Sequence, residues 1–547
     1  MPRRKETMQA PAPIDKLSYE LLDKIIFYLA FPVDYKVPPK RNYLDIESTF
    51  PSTANKCNGL AQYAAVSKKW KEAVEIFTFN TLKVSSDDFD RLSMNMRHLN
   101  RWKSLRNLFC TIQLPPYSHN RRSNVERRRE HQANLVAFRR ALPLLYQAIE
   151  SYHNFHRASS GLRLAITADA PVDPPHVDES NKGRVQPDLG DLRWSHPEHT
   201  LTLTDGQKGP QPFARLVNVS HLSIAKTGRR IHPLALRPVV YNMPSLRKLD
   251  IRIPPVQPRN KGLRASMRND LAAILDDWAL EQLEYLSIEM EDATPQNHAF
   301  SIASTLDEEF PAGDHLSRAV CKLAQSNLRE LYMGPEVLIS PVLFGVDPRH
   351  PEREKESFPH LTRMQVHYAL VTYDGRWYYD GDGEENPDDF DWEMPPRDSE
   401  SDSEEDTATN SSYNSEYADN LNEDRNAYLD GNRPYYSYRK VPNPLFNDLI
   451  ASVVSAVKRM PNICALEVKT NNPGYNEYDI GIEYVSPGYR ALGTMGVAQY
   501  ETEEMLAMKR FVLGYGYLTE WDVLPDLRDM MRDQVEEGEG KGKVIIV

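Results

Sequence analysis

Apolar positions along the chain follow two rhythms, one with the spacing of a helix and one with the spacing of a short strand. Near the N-terminus, Leu17, Leu21, Leu22, Ile25, Ile26 and Leu29 recur every three or four residues, so a helix here carries a broad apolar face. Ser18 stands where a side chain can cap its start, and Glu20 sits in the first turn, where negative charge suits the helix dipole. A second stripe, Leu60, Tyr63, Val66, Trp70, Ala73 and Val74, predicts further helix, with Ser67 as a cap just before Trp70. Short helices this apolar cannot bury everything against one another, and the surplus predicts a docking surface.

The second rhythm is a frame of apolar, two residues, apolar, one residue, apolar. It occurs at Val219, Leu222, Ile224; at Leu246, Leu249, Ile251; at Leu283, Leu286, Ile288; at Leu328, Leu331, Met333; at Leu361, Met364, Val366; and at Ile463, Leu466, Val468. Leu105, Leu108 and Cys110 form an earlier copy. Each reads as a short strand. The segments Leu263 to Leu280, Leu316 to Leu323 and Leu445 to Met460 between them read as amphipathic helices. Helix then strand, repeated, predicts an α/β solenoid of stacked units with long, irregular intervals. An irregular α/β domain with coincidental frames is the competing reading. Beyond Asn471, a strand in YDIGIEYV, a strand near Arg510, a helix from Leu524 and the closing VIIV predict a small α/β subdomain that caps the open end.

The residues IDKLSYELLDKIIFYL (Ile14 to Leu29) followed by VSKKW (Val66 to Trp70) resemble an F-box, with Ser18 where that family usually has Pro. About thirty residues, Ala30 to Gly59, separate the halves; their Pro32, Pro38, Pro39 and Pro51 rule out a continued helix, and the segment reads as an extruded surface loop. The whole arrangement is similar to fungal F-box proteins with a degenerate leucine-rich-repeat body. The resemblance implies an α/β fold: a three-helix F-box over 14–76 with the inserted loop 30–59, an irregular repeat body over 77–379, the last repeat over 441–470, and a capping subdomain over 471–547. It also implies a non-enzymatic substrate-recognition subunit of a Skp–cullin–F-box ubiquitin ligase. Leu17, Leu21, Leu22, Ile25, Ile26, Leu29, Val66 and Trp70 would bind the Skp-type adaptor, and through it a cullin–RING ligase, while the body recruits a protein client. A scaffold that does not direct ubiquitination is the alternative. For the client, Tyr373, Trp377, Tyr378 and Tyr379 are candidate aromatic anchors, with packing of their own loop as the competing role.

Charge adds two poles to this picture. The net charge of −12 is concentrated between Asp380 and Asp424, where eighteen Asp and Glu stand against Arg397 alone. This composition predicts disorder over 380–440. Ser399, Ser401 and Ser403 each have an acid three residues on, the context acidophilic kinases favour, and are candidate phosphosites. Arg91 to Arg140 is the opposite pole, with twelve Lys and Arg against Glu126 and Glu130. Contact between Asp380–Asp424 and Arg121, Arg122, Arg127, Arg128 and Arg129 is one expectation. No aromatics interleave these arginines, so a solvated helix face is favoured over a nucleic-acid site.

Catalytic signals are thin. The chain has no Gly-x-Ser-x-Gly elbow, His-Glu-x-x-His or Walker-type loop. The GEGKGK run precedes a strand rather than following one, and the run from Asp380 has Glu385 where a calcium loop needs Gly. Cys57, Cys110, Cys321 and Cys464 are scattered singly, and His153 with His156 and His196 with His199 lack further ligands nearby, so neither cofactor nor metal is expected. With no apolar run near the ~18 residues of a membrane span, no membrane is expected either. Cytoplasm or nucleus is the expected compartment.

Overall fold

The computed structural model describes residues 17–30, 57–96, 99–117, 126–153, 161–171, 200–203, 213–224, 231–253, 256, 261–277, 280–291, 297–298, 313–346, 356–381, 439–470, 480–491, 501–514, 523–536 and 542–546. Helix α1 (Tyr19–Ala30), a 3₁₀ segment (Cys57–Ala65) and helix α2 (Lys68–Thr78) come first. The middle of the three expected helices is thus a 3₁₀ segment. Its Asn58-Gly59 start favours a turn over a regular helix. There follow β1 (Thr81–Ser85), α3 (Phe89–Asn95), α4 (Leu99–Ser104), β2 (Asn107–Gln113), α5 (Arg128–His153), β3 (Leu162–Asp169), β4 (Val219–Ile224) and α6 (Pro233–Tyr241). Next are β5 (Lys248–Ile253), α7 (Lys261–Leu275), β6 (Tyr285–Glu291), α8 (His315–Ala324), β7 (Glu330–Val337) and β8 (Arg363–Tyr368). The chain continues through β9 (Tyr379–Gly381), β10 (Arg439–Pro442), α9 (Pro444–Val457), β11 (Ala465–Thr470) and β12 (Ile480–Val485). It closes with α10 (Glu503–Leu506), β13 (Arg510–Gly514), α11 (Pro525–Glu536) and β14 (Lys543–Ile546).

Twelve strands form one mostly parallel sheet in the order β1-β2-β3-β4-β5-β6-β7-β8-β11-β12-β13-β14, so every strand lies beside its predecessor. The repeated frame explains the register. Leu82, Leu108, Leu164, Leu222, Leu249, Leu286, Leu331, Met364 and Leu466 are successive partners across nine strands. Val84, Cys110, Ile166, Ile224, Ile251, Ile288, Met333, Val366 and Val468 form the next row. Side chains alternate faces along a strand, so both rows point to one side, where they join a single core with helix residues such as Leu145, Leu236, Leu271, Val320 and Val453.

Two strands of this sheet escaped the pattern reading, as did β9 and β10 outside it. In β1 the frame is present as Phe79, Leu82 and Val84. In β3 its first place is Gly161, because a Cβ there would fall on the Ser220 side chain. The residues after Asn471 are not set apart from the sheet: β12 pairs antiparallel with β11, β13 antiparallel with β12, and β14 parallel with β13. Gly481 permits that hairpin, since a Cβ would collide with the Val468 carbonyl and Lys469. The acidic insertion begins and ends at one place, because β9 and β10 pair antiparallel, Asp380 opposite Val441 and Tyr379 opposite Pro442. Among the described residues, no helix is long and apolar enough to cross a membrane.

Candidate functional site

The N-terminal helices make a small core of their own from Leu22, Ile26, Leu60, Trp70, Ala73 and Val74, with Leu17 and Tyr63 packed against it. The Ser18 hydroxyl accepts from the Leu21 N–H at 3.3 Å, and the Ser67 hydroxyl from the Trp70 N–H at 3.3 Å, fixing both helix starts. Lys69 Nζ donates to the Leu17 carbonyl and ties the second helix to the beginning of the first.

This core divides the apolar residues of α1 into two sets. Leu22 and Ile26 are 0% exposed, whereas Leu21 is 50%, Ile25 37% and Leu29 42% exposed. The exposed three are spaced by four, so they form one outward stripe. Val66, at the end of the 3₁₀ segment, is 51% exposed. Trp70 faces inward with Leu22 and Ile26. The eight residues of the expected adaptor-binding set therefore separate into Leu21, Ile25, Leu29 and Val66 outside, Leu22, Ile26 and Trp70 inside, and Leu17 between.

The helical unit is fixed to the sheet. Glu75, buried near the end of α2, accepts from Arg101 Nε at 3.1 Å and Nη2 at 2.8 Å, and the same guanidinium lies 4.7 Å from the centre of the Phe79 ring. Phe79 leads directly into β1.

The aromatic group at 373–379 requires a correction. Tyr378 and Tyr379 are fully buried and Trp377 is 8% exposed, so they are not free anchors. Trp377 fills a cluster with Leu338, Ala369 and Val371, its ring 4.9 Å from that of His298, and Tyr373 packs against its edge. Tyr378 donates to the Ile339 carbonyl at 3.0 Å, and the Tyr368 and Tyr379 hydroxyls are 3.2 Å apart. Burial pushes the Tyr368, Tyr378 and Tyr379 phenols above their ordinary range. Their place beside the acidic run made them candidate anchors; packing, the competing role, is what the buried rings show, with the β9–β10 clasp drawing them inward.

A buried polar row was hidden inside the repeated frame itself. The residue between the two apolar rows faces the other side of the sheet, and from β4 to β12 it is Ser223, Asp250, Ser287, Tyr332, Gln365, Glu467 and Glu483. These side chains are linked across strands. His221 Nε2 bonds Asp250 Oδ2, Gln365 Nε2 donates to Glu467 Oε2 at 2.9 Å, and Arg252 pairs with Glu289 at 2.8 Å. Burial lowers the His221 pKa against the pull of Asp250, and raises Tyr285, which Asp250 reinforces. The signal in the sequence was a polar residue in the middle of successive frames.

The arginines Arg127, Arg128 and Arg129 are exposed at the start of α5, whereas Arg121 and Arg122 lie outside the described residues. So do Ser399, Ser401, Ser403, the acidic run after Gly381, and the pair His196 and His199. Among the described residues, no group of three His, Cys, Asp or Glu side chains is placed to hold a metal ion. The chain matches no protein-family model and no curated protein.

Proposed function

We propose that this chain is the substrate-recognition subunit of a Skp–cullin–F-box ubiquitin ligase. In this reading α1, the 3₁₀ segment and α2 are an F-box that docks on a Skp-type adaptor. The strands and helices that follow are a leucine-rich-repeat-like solenoid that holds a protein client. One observation carries the reading: Leu21, Ile25 and Leu29 remain outside a helical core that already buries Leu22, Ile26 and Trp70. A merely capping helix would spend its apolar face on the body. This one keeps a second stripe, which a partner helix can cover. The in-register rows support the solenoid.

Co-purification with a Skp-type adaptor tests the proposal. Wild type should bind, and a folded Leu21→Asp, Ile25→Asp variant should not. Equal binding by both, or none by folded wild type, overturns the adaptor role. Reconstituted ubiquitination of captured proteins then separates a receptor from a scaffold, since a scaffold binds the adaptor and transfers nothing.

A further inference from the structure

His232 lies where three segments meet: the short stretch 200–203, α6 and α7. Its backbone N–H donates to the Leu201 carbonyl at 3.0 Å, beside the isolated bridge between Leu201 and Ile231. Its buried ring faces two ways. On one side Nδ1 accepts from the Leu234 N–H at 3.3 Å and so caps α6, just before Pro233. On the other, Nε2 stands 3.4 Å from the Ser266 hydroxyl of α7 and 3.7 Å from Asp270 Oδ2. Ser266 in turn donates to the same Asp270 oxygen at 3.0 Å.

This arrangement fixes the proton. Because Nδ1 accepts, the neutral ring carries its hydrogen on Nε2, which donates to Ser266 and completes a chain to Asp270. An imidazolium carries a hydrogen on both nitrogens and has no lone pair left for Leu234. Its charge would also sit at the positive end of α6. Burial lowers the His232 pKa, against the opposing pull of Asp270. The basic groups on the elements around it are engaged or turned away. Arg139 of α5 is bound to the Thr202 carbonyl and hydroxyl, and Arg237 of α6 lies 3.9 Å from Asp277. On α7, Lys261, Arg264 and Arg268 fall roughly opposite Ser266 around the helix, and Arg268 bonds Asp314 at 2.7 Å. A serine or asparagine cap does not titrate near neutral pH; a histidine cap does.

We propose that His232 is an acid-sensitive latch: its neutral ring holds the first turn of α6 to α7, and protonation releases that turn. The ring takes up its proton more readily once the turn is open. The latch is therefore complete above the ordinary histidine value of about 6.5 and loosens as pH falls below it. Ala235 and Leu236 are buried in the main core, so one turn is released and the rest of α6 stays packed. Hydrogen exchange of the full chain tests this at about pH 7.5 and about pH 5, on either side of that value. Protection factors, corrected for the intrinsic pH dependence of exchange, should fall about fivefold at residues 234–236, the worth of one cap. Those of β5 should hold. His232→Asn keeps a cap that does not titrate and should abolish the fall. Asp270→Asn removes the carboxylate that favours the charged ring in the closed turn, and should deepen it. Constant protection in wild type, or a fall in His232→Asn as large as in wild type, overturns the proposal. So does a fall in Asp270→Asn no deeper than in wild type, or an equal fall in β5, which would mean that the sheet opens and not the turn.

Discussion

At the scale of single residues, Arg510 and Glu501 show how the closing strands are held. Both side chains are almost fully buried and ion-paired; the guanidinium also reaches the Met505 and Tyr489 carbonyls, and the carboxylate takes the Ala491 N–H. Arg510→Ala leaves that carboxylate buried without its counter-charge, so it should cost about 3–5 kcal/mol in chemical denaturation. Arg510→Lys should recover only part, because an ammonium lacks the fork that serves the carboxylate and the Met505, Met508 and Tyr489 carbonyls together. The buried tyrosines predict an alkaline limit. Tyr146, Tyr368, Tyr378 and Tyr379 all have phenols raised above the unfolded value of 10.0 by burial. The unfolded chain gives up these protons first. Their contribution to stability is therefore complete below about pH 10 and is lost as pH rises above it. In a pH titration followed at 295 nm and by circular dichroism, these phenols should ionise together with unfolding, not before it. Cys110, whose thiol burial likewise pushes up, should stay unlabelled by thiol reagents until the same point.

At the scale of elements, α1 makes the sharpest distinction. Leu22→Ala or Ile26→Ala should destabilise the N-terminal unit by about 2–5 kcal/mol through lost burial and a residual cavity. Leu21→Asp with Ile25→Asp should leave its melting unchanged, and hydrogen exchange across residues 19–30 and 68–78 reads the difference directly. Periodicity in the sequence identified this helix but not its two sides, because both sets of leucines and isoleucines look alike until Trp70 and Leu60 decide which is covered. The same limit applies to the sheet. The frames at 219–224, 246–251, 283–288, 328–333, 361–366 and 463–468 were legible because apolar residues recur at a fixed spacing, and all became strands. β3 was not, since the first place of its frame is Gly161, where a Cβ would collide with the Ser220 side chain. Packing of Trp377, Tyr378 and Tyr379 was one of the two roles the sequence offered, but not their partners Leu338, Ile339 and Phe446, which lie tens of residues away.

At the scale of the whole molecule, successive strands of the twelve-stranded sheet lie side by side, and the strands that flank the acidic insertion still pair. β9 and β10 bring its two ends side by side, while β8 and β11 pair over six residues across the gap. Replacing residues 382–438 by a short Gly-Ser linker should therefore leave the melting temperature within about 4 °C of wild type, no more than roughly 1 kcal/mol produces in chains smaller than this one. A loss of cooperativity in that variant would show that the insertion supports the sheet. The clasp has one more consequence. Since Asn443 holds the Trp377 carbonyl and Phe446 stacks near Tyr379, the surfaces on either side of the insertion are complementary without the peptide that joins them. The gene could be divided there: two polypeptides, one ending after Gly381 and the other beginning before Arg439, should find each other and reconstitute the sheet, turning a covalent protein into a reversible heterodimer.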